Sequence, residues 1–157
     1  MERDTSRRDA AGPLPGEGLP PGPGDVVLVD DERTVAELAR RVLRHGPWRL
    51  CVFEEPEAAL AHLLGHAPDV LLVDSRMPGM DGAELIVRLA ERGRLGAGRV
   101  FLSSAAPIAP SAWLARLPAR VRVLPKGELF DRRTLLARIA GEPVAPAPDG
   151  ARARRVR

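Results

Sequence analysis

The sequence predicts a doubly wound α/β domain: a five-stranded parallel sheet flanked by five helices. Three observations lead there. Five short apolar runs recur about every 20 to 30 residues along the chain. The runs show almost no polar alternation, as strands covered on both faces do. Between them the apolar residues change to a helical spacing, and regular strand–helix alternation implies right-handed crossovers that cover both sides of one parallel sheet.

In chain order, residues 1–24 come first, rich in Pro and Gly, of mixed charge and without hydrophobic period. Such a segment buries too little apolar surface to offset its ordering entropy and is expected to be a disordered arm. "VVLV", Val26–Val29, is the first strand. Val35, Leu38, Ala39, Val42 and Leu43 then form a helical stripe, with Glu37, Arg40, Arg41 and Arg44 opposite. "LCVF", Leu50–Phe53, is the second strand, and its Cys51 is expected to be a small buried core residue. Leu60, Leu63, Leu64 and Ala67 give the second helix, and "VLLV", Val70–Val73, the third strand. Leu85, Ile86 and Leu89 give the third helix, followed by "VFLS", Val100–Ser103. "APIAPSAWLARLP" contains three prolines, so the fourth helix is weak and should end at Pro118. Trp113 within it is expected to pack. "VRVL", Val121–Leu124, is the fifth strand, and Leu135, Leu136 and Ile139 line the last helix. Residues 141–157 again lack a period and read as a flexible basic tail, leaving 25–140 as the folded domain.

Composition narrows the class. A chain of 157 residues suits one domain, and 45% hydrophobic content with 3% aromatics and no Tyr requires an aliphatic core. No apolar run approaches the ~20 residues of a membrane span. Arg7-Arg8 is followed by no apolar stretch, so export is not expected. The single Cys51 excludes an internal disulfide, and a reducing cytoplasm fits. The net charge of +3 is too small to argue for nucleic acid. The four arginines of "ARARRVR" on a flexible tail would give only salt-sensitive, nonspecific contact, so specific nucleic-acid binding is not expected.

In doubly wound sheets ligands bind beyond the carboxyl ends of the strands. Those positions hold Asp30, Asp31 and Glu32 after the first strand, Asp74 after the third, Ser103 and Ser104 after the fourth, and Lys126 after the fifth. Singly each has an ordinary reading: an N-cap for Asp31 or Glu32, a turn for the serines, a solvated surface for the lysine. Asp74 is harder to explain so, because four apolar residues lead into it. Clustered carboxylates need a cation, and an oxygen-only donor set points to Mg²⁺, with Mn²⁺ able to substitute. His45, His62 and His66 have no ligand spacing and lie in or beside helices. A carboxylate beside such an ion, a lysine and a hydroxyl can accept a phosphoryl group.

With these motifs in order, "VDDE" (Val29–Glu32), "LLVDSRMPGMDG" (Leu71–Gly82), "LSSA" (Leu102–Ala105) and "LPKGELF" (Leu124–Phe130), the chain resembles the receiver domains of two-component response regulators over Asp25–Ala140. The resemblance implies the CheY-like, flavodoxin-like strand order 2-1-3-4-5. It implies Asp74 as phosphoacceptor, Asp30 and Asp31 as the acidic pair serving Mg²⁺ (Asp31 the more direct ligand), and the backbone carbonyl of Arg76 as a further ligand. Lys126 should contact the phosphoryl group. Ser104 is favoured as the switch hydroxyl by its spacing from Asp74 and Lys126, with Ser103 the runner-up.

The resemblance further implies a stand-alone cytoplasmic switch, not a metabolic enzyme, catalysing only its own phosphorylation and dephosphorylation. Its partners would be a sensor histidine kinase or phosphotransfer protein and a downstream protein target. A homodimer through the fourth helix, fifth strand and fifth helix is a further expectation. Three positions depart from the family: Gly127 stands where a cis proline is usual, Val123 where an aromatic switch residue is usual, and Arg76 two residues after the acceptor. The last argues against an aspartyl-nucleophile phosphatase, a third class that wants a second Asp there; lack of turnover on phosphate monoesters would close it. The rival class is a phosphorylation-independent pseudo-receiver or adaptor.

Overall fold

The computed structural model describes residues 24–141. The expected N-terminal arm and basic C-terminal tail therefore lie outside the described residues, apart from Gly24 and Gly141. The strands are β1 (Gly24–Val29), β2 (Trp48–Phe53), β3 (Val70–Asp74), β4 (Arg99–Ser104) and β5 (Arg122–Pro125). Helices α1 (Arg33–Leu43), α2 (Pro56–Leu63), α3 (Gly82–Glu91), α4 (Ala112–Ala115) and α5 (Arg132–Ala140) alternate with them, and a 3₁₀ turn covers Lys126–Leu129. All pairings are parallel, in the order β2-β1-β3-β4-β5. No helix among the described residues is long and apolar enough to cross a membrane.

Side-chain alternation along the strands builds two cores. Val27, Val29, Leu71, Val73, Val100 and Leu102 face α2 and α3, meeting Ala59, Leu63, Ile86 and Leu89. Val26, Leu28, Val70, Leu72, Phe101 and Leu124 face α1 and α5, meeting Val35, Ala39, Leu43, Leu135 and Ile139. The central strands β1 and β3 carry apolar residues on both sides, and this produces their unbroken apolar runs.

The edge strands differ from the expectation of full coverage. On β2, Trp48, Leu50 and Val52 pack against the α1 side, whereas Arg49 and Cys51 are exposed. Cys51 is thus not a core residue; it lies on the outer strand, on the face opposite Leu50 and Val52. On β5 only Leu124 is buried, and Val123 is 58% exposed. The second helix is also shorter than its stripe suggested. It ends at Leu63, Gly65 N–H bonds back to the His62 carbonyl, and Ala67 stands exposed beyond it. The weak fourth helix is a single turn capped by the Ser111 hydroxyl, which accepts from Leu114 N–H at 3.0 Å. Trp113 is half-buried against the α3 side, with the guanidinium carbons of Arg116 and Arg88 at 5.0 and 6.0 Å from its ring centroid.

Candidate functional site

A parallel sheet gathers all of its strand C-termini on one edge, and the polar residues expected to act lie there. Asp30 directly follows β1, and its N–H bonds to the Phe53 carbonyl at 3.0 Å, which carries the β1–β2 ladder one step further. Asp30 is fully buried. Its Oδ1 accepts from Glu32 N–H at 2.9 Å, a local turn that fixes the carboxylate as α1 begins. Its Oδ2 lies 3.2 Å from Lys126 Nζ, an ion pair without hydrogen-bond alignment.

Asp74 ends β3 at 4% exposure. Beyond it Ser75 N–H donates to the Ser103 carbonyl at 2.7 Å, so the chain stays paired to β4 past the end of β3. The "MPGMDG" turn then redirects the chain. Met77 and Met80 are buried, Gly79 takes φ +84°, and Asp81 caps α3 by accepting from Glu84 N–H at 2.8 Å. Gly82 opens the helix because nothing larger fits: a Cβ there would lie 2.1 Å from the Asp74 carbonyl oxygen.

Lys126 reaches this group from the end of β5. Its Nζ donates to Glu32 Oε1 at 2.7 Å and lies 3.5 Å from Asp74 Oδ2. Asp31 is exposed, yet it, Asp30 and Asp74 each offer a carboxylate oxygen within 4.8 Å of the others. Three oxygen donors in that space, with the buried Asp30 Oδ2 accepting no hydrogen bond, fit a hard divalent cation. No histidine joins a metal-ligand group among the described residues; His62 instead packs its ring 5.0 Å from that of Phe53.

The electrostatics follow from crowding charges in a dry place. Burial, and next the charge of Asp30, pushes the Asp74 carboxyl up to about 6, against the opposing pull of Lys126. Burial likewise raises the Asp30 carboxyl. Burial works against the Lys126 charge, but the Glu32 hydrogen bond and the charges of Asp30 and Asp74 outweigh it and hold the ammonium above its usual range.

The two serines part company. Ser104 is half-buried and its hydroxyl donates to the Ala106 carbonyl. It lines a cleft of about 450 Å³ with Ser75, Arg76, Met77, Ile108 and Ser111. Ser103 is fully buried, and its Oγ has no hydrogen-bond partner. The Arg76 side chain is exposed. Every peptide bond among the described residues is trans, that before Gly127 included, and a Cβ on Gly127 would meet nothing within 4 Å. Sequence reasoning left Glu32 as a helix-capping candidate. It stands at the N-cap position of α1 without a side-chain capping bond, and its carboxylate holds Lys126 instead.

Residues 26–115 match the response regulator receiver domain family. The DNA-binding transcriptional regulator NtrC of Salmonella typhimurium is 39% identical over 69 residues, which are 44% of this chain and 15% of that protein. The chain therefore spans a small part of the length of that relative. The receiver domain of the hybrid histidine kinase CckA is 31% identical, with 74% of this chain and 95% of that one covered at a TM-score of 0.58. The Mn(2+)-bound form of response regulator Rcp1 shares the fold at 19% identity and a TM-score of 0.60, with 80% of this chain and all of that one covered. With the strand order, the acidic edge and these matches together, the chain belongs to the response regulator receiver domain family of two-component signalling.

Proposed function

We propose that Asp74 accepts a phosphoryl group from the phosphohistidine of a sensor histidine kinase or phosphotransfer protein. The observation that carries this reading is the Asp74 carboxylate itself, nearly buried at a strand end between an ammonium and an acidic pair. A carboxylate so placed is aimed and dry, the condition for in-line attack on phosphorus. Asp31, Asp30 and Asp74, with the backbone carbonyl of Arg76, would hold Mg²⁺, with Mn²⁺ as substitute; the clustered carboxylate oxygens support this reading. When bound, the ion neutralises charge on the phosphoryl oxygens. Lys126 does the same from the β5 side, and Ser104 serves as the hydroxyl that turns toward the phosphoryl group from the cleft.

The protein then acts as a cytoplasmic switch that catalyses only its own phosphorylation and dephosphorylation. The phosphorylated population would bind a downstream protein or a second copy through α4, β5 and α5. The test is intact mass after incubation with Mg²⁺ and acetyl phosphate. A phosphoryl adduct that needs Mg²⁺ and is absent from Asp74→Asn is the expected result; no adduct and no beryllofluoride complex would overturn it.

The exposure of Val123 on β5, where an aromatic switch would stand, favours one second reading, an adaptor that binds partners without phosphorylation. Unaltered partner binding by Asp74→Asn would select it.

A further inference from the structure

The cleft of about 450 Å³ at the ends of β3 and β4 is larger than the Ser104 hydroxyl needs. The sequence explains why it is open. Pro107 and Pro110 keep residues 105–111 out of regular structure, so α4 begins only at Ala112 and lasts one turn. A loop, not a helix, therefore faces the β3–α3 turn, and the cleft lies between them. Small-molecule sites run from about 300 to 1,000 Å³, and the lower end of that range suits a single metabolite.

The lining is divided in character. Met77 and Ala83 are buried, Ile108 is half-buried, and with Leu102 behind them they form an apolar wall. Arg76 and Asp81 flank the "MPGM" turn and also line the cleft. Neither belongs to an ion pair among the described residues, so this cation and this carboxylate do not satisfy each other. Asp81 caps α3 through Oδ1, and a carboxylate keeps acceptor capacity on its second oxygen. Ser111 Oγ accepts from Leu114 N–H, which leaves its own proton to donate. An anion alone would face Asp81, and a cation alone would face Arg76. An uncharged apolar molecule would dehydrate both without a partner for either. A molecule with one charge of each sign beside an apolar group meets all three demands.

We propose that this cleft binds a free α-amino acid with an apolar side chain. Its carboxylate pairs with the Arg76 guanidinium and accepts from the Ser111 hydroxyl. Its ammonium donates to Asp81, and its side chain covers Met77, Ala83 and Ile108. The two charge-assisted contacts set the orientation, and the apolar contact supplies the buried area. The site does not depend on the phosphoacceptor role of Asp74.

The test titrates the full chain with L-leucine and follows backbone amide chemical shifts. Three comparison molecules are titrated in the same way: isocaproate lacks the ammonium, isoamylamine lacks the carboxylate, and glycine lacks the side chain. L-Leucine should bind saturably with a dissociation constant of about 0.1–1 mM, shifting amides of the β3–α3 turn and of the loop after β4. Each comparison molecule should bind about tenfold more weakly. Arg76→Gln should weaken L-leucine about tenfold and leave isoamylamine unchanged. Asp81→Asn, which retains a capping side chain, should weaken L-leucine and leave isocaproate unchanged. A structural role for either residue would not give this crossed pattern, and the wild-type titrations stand without any variant. No saturable binding of L-leucine overturns the proposal. So does isocaproate or isoamylamine binding as tightly as L-leucine. Shifts confined to Asp30–Glu32 and Lys126 also overturn it, since they would mark an amine drawn to the acidic edge.

Discussion

Lys126 Nζ lies closer to Glu32 Oε1, at 2.7 Å, than to Asp74 Oδ2, at 3.5 Å. The single ammonium of the site is thus held back by the residue at the N-cap of α1, and three carboxylates share it. A phosphoryl group on Asp74 would have to win this cation from Glu32. The Glu32 side chain is 61% exposed, so water screens the pair and the restraint is modest. Glu32→Gln should therefore raise the steady-state phosphorylated fraction, with labelling by acetyl phosphate about two- to fivefold faster. Stopped time courses by intact mass would check it, and slower labelling would show that Glu32 aims the lysine and does not restrain it.

Stability without metal should fall as pH rises through the titration of Asp74. Its carboxyl is pushed from 3.8 up to about 6 by burial and the charge of Asp30, so folding favours the protonated form. That contribution is fully present below pH 3.8 and is gone above about 6. Relative to wild type in EDTA, Asp74→Asn should gain about 2–3 kcal/mol at pH 7 and almost nothing near pH 4. Urea denaturation at a series of pH values gives the difference directly.

Mg²⁺ should reverse this penalty. At about a hundredfold excess over its dissociation constant the ion should add about 2.7 kcal/mol to wild-type stability at neutral pH. Asp31→Asn, which alters an exposed oxygen donor of the acidic group, should lose most of that gain while unfolding normally in EDTA. Thermal melts with and without the ion test both halves of the expectation.

Gly82→Ala should be among the most damaging small substitutions in the domain. The added methyl would meet the Asp74 carbonyl oxygen at 2.1 Å and Leu102 Cδ1 at 2.8 Å, and the backbone contact has no flexible end to yield. A loss of about 2–4 kcal/mol is expected by denaturant unfolding, with weakened labelling of whatever remains folded.

Most of the architecture was legible because each residue's local pattern agreed with its place. Val70–Val73 is an unbroken apolar run because β3 is central, and Asp74 was conspicuous because such a run ended in a charge. Lys126 and the Asp30-Asp31 pair could be located by the rule that parallel sheets gather their working residues at one edge. What depended on neighbours in space was not legible. Cys51 reads as core in "LCVF", but no local signal says that β2 is the outer strand and that one of its faces meets water. Ala67 fits the stripe of α2, yet the chain leaves the helix before Gly65. Glu32 could be read as a cap until the reach of Lys126 across the sheet was known. The difference between Ser103 and Ser104 is one of strand parity relative to Asp74, which only the register supplies.

Lys126 has a practical consequence as well as a chemical one. It is the sole lysine in the chain, and at 8% exposure it is almost shielded from solvent. Apart from the terminal α-amine, an amine-directed reagent has one place to react, and that place is the acidic edge of the sheet. The rate at which such a reagent modifies Lys126 is therefore an intrinsic gauge of whether the pocket is open, charged or occupied, read without engineered labels and at a single atom.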